Sequence, residues 1–97
     1  MNTTRTSLFL MANLGSEVSQ IFSAKAKGNT NLFSSAMERA KAILLELKNL
    51  PDTKNNAEIN ILADVIDDIG QDSNKYEVST EDMQSYFLPF AMRLMQV

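Results

Sequence analysis

The sequence contains neither cysteine nor histidine. Without cysteine, the chain has no disulfide, no thiolate nucleophile and no zinc–sulfur site. Without histidine, it lacks the commonest general base and the commonest transition-metal ligand. Nucleophilic triads and histidine-based metal chemistry are therefore excluded by inventory. We expect a protein that is not an enzyme and that carries no cofactor.

Basic clusters and long apolar runs are also scarce. The net charge is −3, and the nine basic residues are spread along the chain, whereas a nucleic-acid-binding protein needs a basic surface. The longest apolar run, Leu8 to Ala12, is far shorter than the roughly 20 residues that cross a membrane. It continues into the amphipathic pattern of Leu14, Val18 and Ile21, which argues against a signal peptide. We therefore expect a cytoplasmic protein with no nucleic-acid or membrane partner.

The clearest pattern in the chain is the helical spacing of apolar residues from Phe33 to Leu50. Steps of three and four residues place these side chains on one side of an α-helix. Similar stripes predict four helices, over 4–27, 31–49, 53–69 and 80–96. Because 97 residues make one domain with one core, the short connections predict an all-α, single-domain up-and-down four-helix bundle over 1–97.

Glycine, proline and small polar residues mark the predicted ends of the helices. Gly28 is expected to end the first helix in the left-handed conformation, and Gly70 to end the third. Ser79 and Asp82 resemble a capping box before the fourth helix, and Pro89 predicts a kink within it. The candidate N-caps of the first three helices are short polar residues: Thr3 or Thr4, Thr30 or Asn31, and Asp52 or Thr53.

Gly15 interrupts the first helix. A glycine inside a helix costs about 1 kcal/mol relative to alanine, so its presence indicates the close approach of another helix, with a ligand contact as the alternative. Ala12, Ser16 and Ser19 extend the surface of small residues around it. If Gly15 marks a helix-packing contact, Gly15→Leu should overpack it, whereas Gly15→Ala should be mild because better helix propensity offsets slight crowding.

Aspartates cluster near the end of the third helix. Asp64 and Asp68 lie one turn apart on the same face, and with Asp72 they are candidate ligands for a divalent cation. The segment that starts at Asp72 does not match a calcium-binding loop, because Glu77 and Met83 stand where glycine and a bidentate acid are required. A solvated acidic face is the preferred interpretation, and no bound metal is predicted.

The fourth helix has more apolar surface than one core contact requires. One stripe is sufficient to bury the helix: Met83, Phe87, Phe90 and Leu94. A second apolar set lies outside that stripe: Tyr86, Leu88, Met92 and Met95. Methionine and aromatic residues are enriched at contact surfaces, so the second set predicts an interface. The alternative is that the kink at Pro89 turns both sets towards the core.

Three short motifs resemble small, uncharacterised all-helical proteins of bacteria and archaea. They are NLGSEV at 13–18, MERA at 37–40 and YFLPF at 86–90. The resemblance spans most of the chain and implies a helical fold without an activity. Small helical nucleases of the HEPN type carry an arginine followed closely by a histidine, and this chain contains no histidine. The nuclease activity of that type is therefore not expected.

A non-enzymatic protein-interaction module is the favoured function, with either a different protein or a second copy of the chain as the partner. It rests on the missing catalytic residues and on the surplus apolar surface of the fourth helix. The alternative is a small-ligand or metal-binding bundle that uses the acidic end of the third helix with Tyr76. A carboxylate-dependent enzyme is a third hypothesis, because paired carboxylates can catalyse hydrolysis without histidine.

Overall fold

The computed structural model describes residues 6–50, 57–71 and 79–95, and in these ranges the chain forms four α-helices and no strand. The helices are α1 (Ser7–Lys27), α2 (Thr30–Asn49), α3 (Ala57–Gln71) and α4 (Thr80–Met95). α1 packs against both α2 and α4, and α3 packs on α2. This arrangement confirms the predicted all-α four-helix bundle. Within the described ranges, none of the helices combines the length and apolarity needed to cross a bilayer.

The core lies where the apolar stripes of the four helices meet. The stripe of α1 is almost completely buried: Leu10, Leu14, Val18 and Ile21. The other helices contribute Ala36, Ala40, Leu47, Ile59, Ile66, Met83 and Phe87. Burial of such an amphipathic face supplies most of the stability of a helix in a protein, because propensity alone is marginal at these lengths.

The first two helices begin at residues other than those predicted. The Thr6 hydroxyl accepts a hydrogen bond from the Phe9 amide at 3.1 Å, and α1 starts immediately after Thr6. The side-chain oxygen of Asn29 accepts from the Leu32 amide at 3.0 Å and caps α2. The predicted caps at Thr3 or Thr4 and at Thr30 or Asn31 are therefore wrong. The candidate caps of the third helix, Asp52 and Thr53, lie outside the described residues.

The C-terminal ends of α1 and α3 differ in the role of their glycines. Gly28 has φ 67° and ends α1 as predicted. Gly70 lies inside α3, which continues to Gln71, so the prediction that Gly70 ends this helix is wrong. The last turn of α3 is instead bonded to α1, since the Lys25 ammonium donates to the Ile69 carbonyl at 2.7 Å. A basic side chain on the final carbonyls is favourable for the helix dipole.

Gly28→Ala is expected to lower the free energy of unfolding by about 1–2 kcal/mol, the cost of a left-handed conformation for a residue with a Cβ. A Cβ on Gly28 would meet nothing within 4 Å, so the cost is conformational rather than steric. Gly28→Asn is the matched control, because asparagine tolerates this conformation better. Urea denaturation followed by circular dichroism measures both, and equal stabilities for the two variants would contradict the prediction.

α4 starts with the predicted capping box. The Ser79 hydroxyl accepts from the Asp82 amide at 3.0 Å, and the Asp82 carboxylate accepts from the Ser79 amide at 3.2 Å. The helix continues through Pro89, which is exposed, to Met95. One uninterrupted helix thus carries both apolar sets, and the kink near Pro89 stays a prediction.

Candidate protein-interaction surface

Phe87 joins α4 to α1 at Gly15. A Cβ placed on Gly15 would lie 2.7 Å from the Cβ and 2.9 Å from the Cγ of Phe87, closer than carbon atoms approach in proteins. Both residues are buried. These Phe87 atoms are held near the backbone of α4, so they cannot move away as the end of a flexible side chain can. The expectation that Gly15→Ala is mild is corrected by this contact.

Three apolar side chains of α4 are exposed on the side away from the core. Leu88 is 56% exposed, Met92 51% and Met95 84%. They follow one another at steps of four and three residues, so they share one face of the helix. We call these three residues the α4 stripe. For these three residues, their exposure contradicts the alternative in which the second apolar set also enters the core.

Tyr86 belongs to a different contact from the α4 stripe. Its ring meets Phe87 edge-on, with centroids 5.0 Å apart at 88°, and lies 5.7 Å from the ring of Phe90. Its hydroxyl donates a hydrogen bond to the Glu58 carboxylate of α3. Tyr86 is half-buried and packs against the core. Tyr86 therefore connects α4 to α3. It does not belong to the α4 stripe, although its spacing had placed it in the same predicted apolar set.

An open groove of about 180 Å³ between α1 and α4 borders the α4 stripe. Its lining includes Ala12, Ser16 and Ser19 of α1 together with Gln84, Leu88 and Ala91 of α4. Leu88 belongs both to the groove and to the stripe, so the two surfaces are continuous. Among the residues that the structure describes, none that lines the groove carries a charge, although 22% of the residues in the chain do.

The charged side chains near this surface interact with other residues of the protein. Arg39 of α2 forms an ion pair with Glu17 of α1, with Nε 2.9 Å from the carboxylate oxygen. The Arg93 guanidinium lies 5.5 Å from the centre of the Phe90 ring, a cation–π distance. Arg93 therefore lies beside the aromatic rings of α4 rather than across the α4 stripe.

The acidic end of α3 is less uniform than predicted. Asp64 and Asp67 are exposed, and Asp67 accepts a hydrogen bond from the Gln71 side chain at 3.0 Å. Asp68 is only 7% exposed, which corrects the expectation of a wholly solvated face. In the part of the chain that the structure describes, no three acidic, histidine or cysteine residues are grouped to hold a metal ion. Asp72 and Tyr76 lie outside the described residues.

Sequence reasoning missed three exposed apolar residues on the other helices, of which Phe9 of α1 is the least exposed at 37%. Leu45 of α2 is 62% exposed, and Ile61 of α3 is 56% exposed. A signal was available for Leu45, because it lies next to the stripe of Leu44 and Leu47 but outside its spacing. Each is the only large apolar side chain exposed on the described part of its helix. Isolated apolar side chains are common on protein surfaces, whereas the three on α4 are contiguous.

Comparisons with protein-family models, with curated proteins and with solved structures gave no match to this chain. The candidate surface has two parts. It combines an exposed apolar stripe on α4 with an uncharged groove against α1. Side chains of this kind can bury apolar area against another protein.

Proposed function

We propose that the protein is a non-enzymatic interaction module that pairs with a second copy of itself through the α4 stripe. The observation that carries this proposal is the exposure of Leu88, Met92 and Met95 on one face of α4. Burying apolar area is favourable by about 25 cal/mol per Å². Methionine side chains adapt their shape to a contact surface. The absence of histidine and cysteine from the sequence further supports binding rather than catalysis.

A second copy is the simplest occupant because the stripe can pair with itself. Closed two-fold dimers are the commonest assemblies of identical chains, and each copy then uses the same patch. Leu88 and Met92 are one helical turn apart. When two α4 helices run antiparallel about a two-fold axis between these positions, Leu88 of each copy faces Met92 of the other. Apolar side chains then meet apolar side chains on both sides of the axis.

The double variant Leu88→Glu with Met92→Glu tests this proposal. We expect the unmodified protein to sediment as a dimer and the double variant to sediment as a folded monomer. Both positions face away from the core, so glutamate should leave the helical circular dichroism spectrum unchanged. In a dimer, the carboxylates would be buried without partners, which is strongly unfavourable.

Leu45→Glu and Ile61→Glu are matched controls, because these side chains are exposed to a similar degree on other helices. We expect both controls to remain dimeric. An unmodified protein that sediments as a monomer at high micromolar concentration would refute homodimerisation. A double variant that stays dimeric would place the interface elsewhere on the molecule.

A further inference from the structure

The α4 stripe is too small to form a stable interface by itself. It offers three exposed apolar side chains, whereas a standard interface takes about 20–30 residues, or about 800 Å², from each partner. A dimer through α4 must therefore also bury the surface on one flank of the stripe. The two flanks differ in charge, and this difference selects one of them.

The flank towards α3 carries charged and already bonded groups. At 100° per residue, Asp82 and Arg93 lie on the same side of α4 as Tyr86. Tyr86 is bonded to Glu58, and Arg93 is stacked on Phe90. The flank towards α1 is the uncharged groove. Because charged residues are depleted at the centres of interfaces, the interface should extend into the groove.

We infer that the two-fold interface extends from the α4 stripe into the α1–α4 groove and that Met95 of the second copy enters that groove. This inference rests on the proposed function. With the two-fold axis midway between positions 88 and 92, position 95 of one copy lies level with position 85 of the other, one residue from Gln84. Gln84 lines the groove, and its volume of about 180 Å³ leaves room for an unbranched side chain. Met95 is 84% exposed and does not pack in the core, so its side chain is available to contact a second copy.

Disulfide trapping tests this register directly. The natural chain has no cysteine, so a mixture of Gln84→Cys and Met95→Cys proteins can link only at the introduced positions. We expect mild oxidation to give mainly the mixed disulfide between the two variants. Two copies of position 84 would lie about 18 Å apart along antiparallel helices, beyond the roughly 7 Å between Cα atoms that a disulfide spans.

Ser35→Cys is the matched control for trapping, because Ser35 is an exposed helical residue of α2. Mixed with Met95→Cys, it should give little product. Mass spectrometry of the unreduced mixtures identifies which chains are joined. Equal yields from the Gln84 and Ser35 mixtures would reflect random collision and would overturn the inference.

A second variant tests the groove without new covalent bonds. Ser19→Arg places a charge at an exposed position that lines the groove, and we expect self-association to weaken about ten-fold or more. Ser35→Arg should leave association unchanged. If Leu88→Glu with Met92→Glu yields monomers while Ser19→Arg stays dimeric, the groove is not part of the interface, although the proposed function stands. If the unmodified protein is monomeric, the proposed function fails as well.

Discussion

Phe87→Ala is expected to lower the free energy of unfolding by about 3–5 kcal/mol. The side chain is only 6% exposed, packs against Gly15 and meets Tyr86 edge-on. Truncation removes these contacts and leaves a cavity that rigid helix backbones cannot close. Because single domains are stable by about 5–15 kcal/mol, this loss would remove much of the total. Urea denaturation followed by circular dichroism measures the change.

Leu88→Ala is the matched control, since Leu88 is the next residue on the same helix and is 56% exposed. In dilute solution, where self-association does not contribute, we expect a change within about 0.5 kcal/mol. The contrast depends only on which side of α4 each residue occupies. Similar losses for the two variants would contradict the assignment of Phe87 to the core and of Leu88 to the surface.

Gly15→Ala is expected to destabilise the protein by about 1–3 kcal/mol. Alanine is the better helix former by about 1 kcal/mol, but its Cβ would lie 2.7 Å from the Cβ of Phe87. Relief of that overlap requires α1 and α4 to move apart. The larger side chain of Gly15→Leu should cost more. Thermal and urea denaturation of the two variants give the magnitudes.

Gly70→Ala provides the control for this steric argument. Gly70 also lies within a helix, and a Cβ there would come 2.8 Å from the terminal methyl carbon of Met37. That methyl group ends a flexible side chain and can rotate away. We therefore expect Gly70→Ala to be neutral or to stabilise by up to about 1 kcal/mol. If Gly70→Ala and Gly15→Ala change stability equally, rigidity of the neighbouring atom is not the deciding factor.

The helical fold could be predicted from apolar spacing because each helix repeats the same period over about three turns or more. Gly28 could be predicted as a helix end, since a left-handed residue favours glycine. The caps at Thr6 and Asn29 could not be selected, because several polar residues adjoin each helix start. The helix end at Gly70 was predicted wrongly because glycine also occurs inside helices, and here it lies within α3 against the Met37 side chain.

The candidate surface could be predicted only in part from the sequence. Spacing separated Leu88, Met92 and Met95 from the core stripe of α4, and their exposure agrees with that separation. Tyr86 could have been set apart as well, because two residues along a helix turn the side chain by about 200° from Leu88. The groove could not be foreseen, since it requires knowing that α1 and α4 are neighbours.

The central position of α1 has a consequence for the order of folding. α1 packs on α2, the next element in the chain, and on α4, the last of the four helices. The first contact closes a short hairpin, whereas the second brings together segments separated by two whole helices. Contacts between distant segments form more slowly because loop closure costs entropy. We therefore expect the α1–α2 hairpin to form first, with the side of α1 that contains Gly15 exposed to water until α4 packs on it.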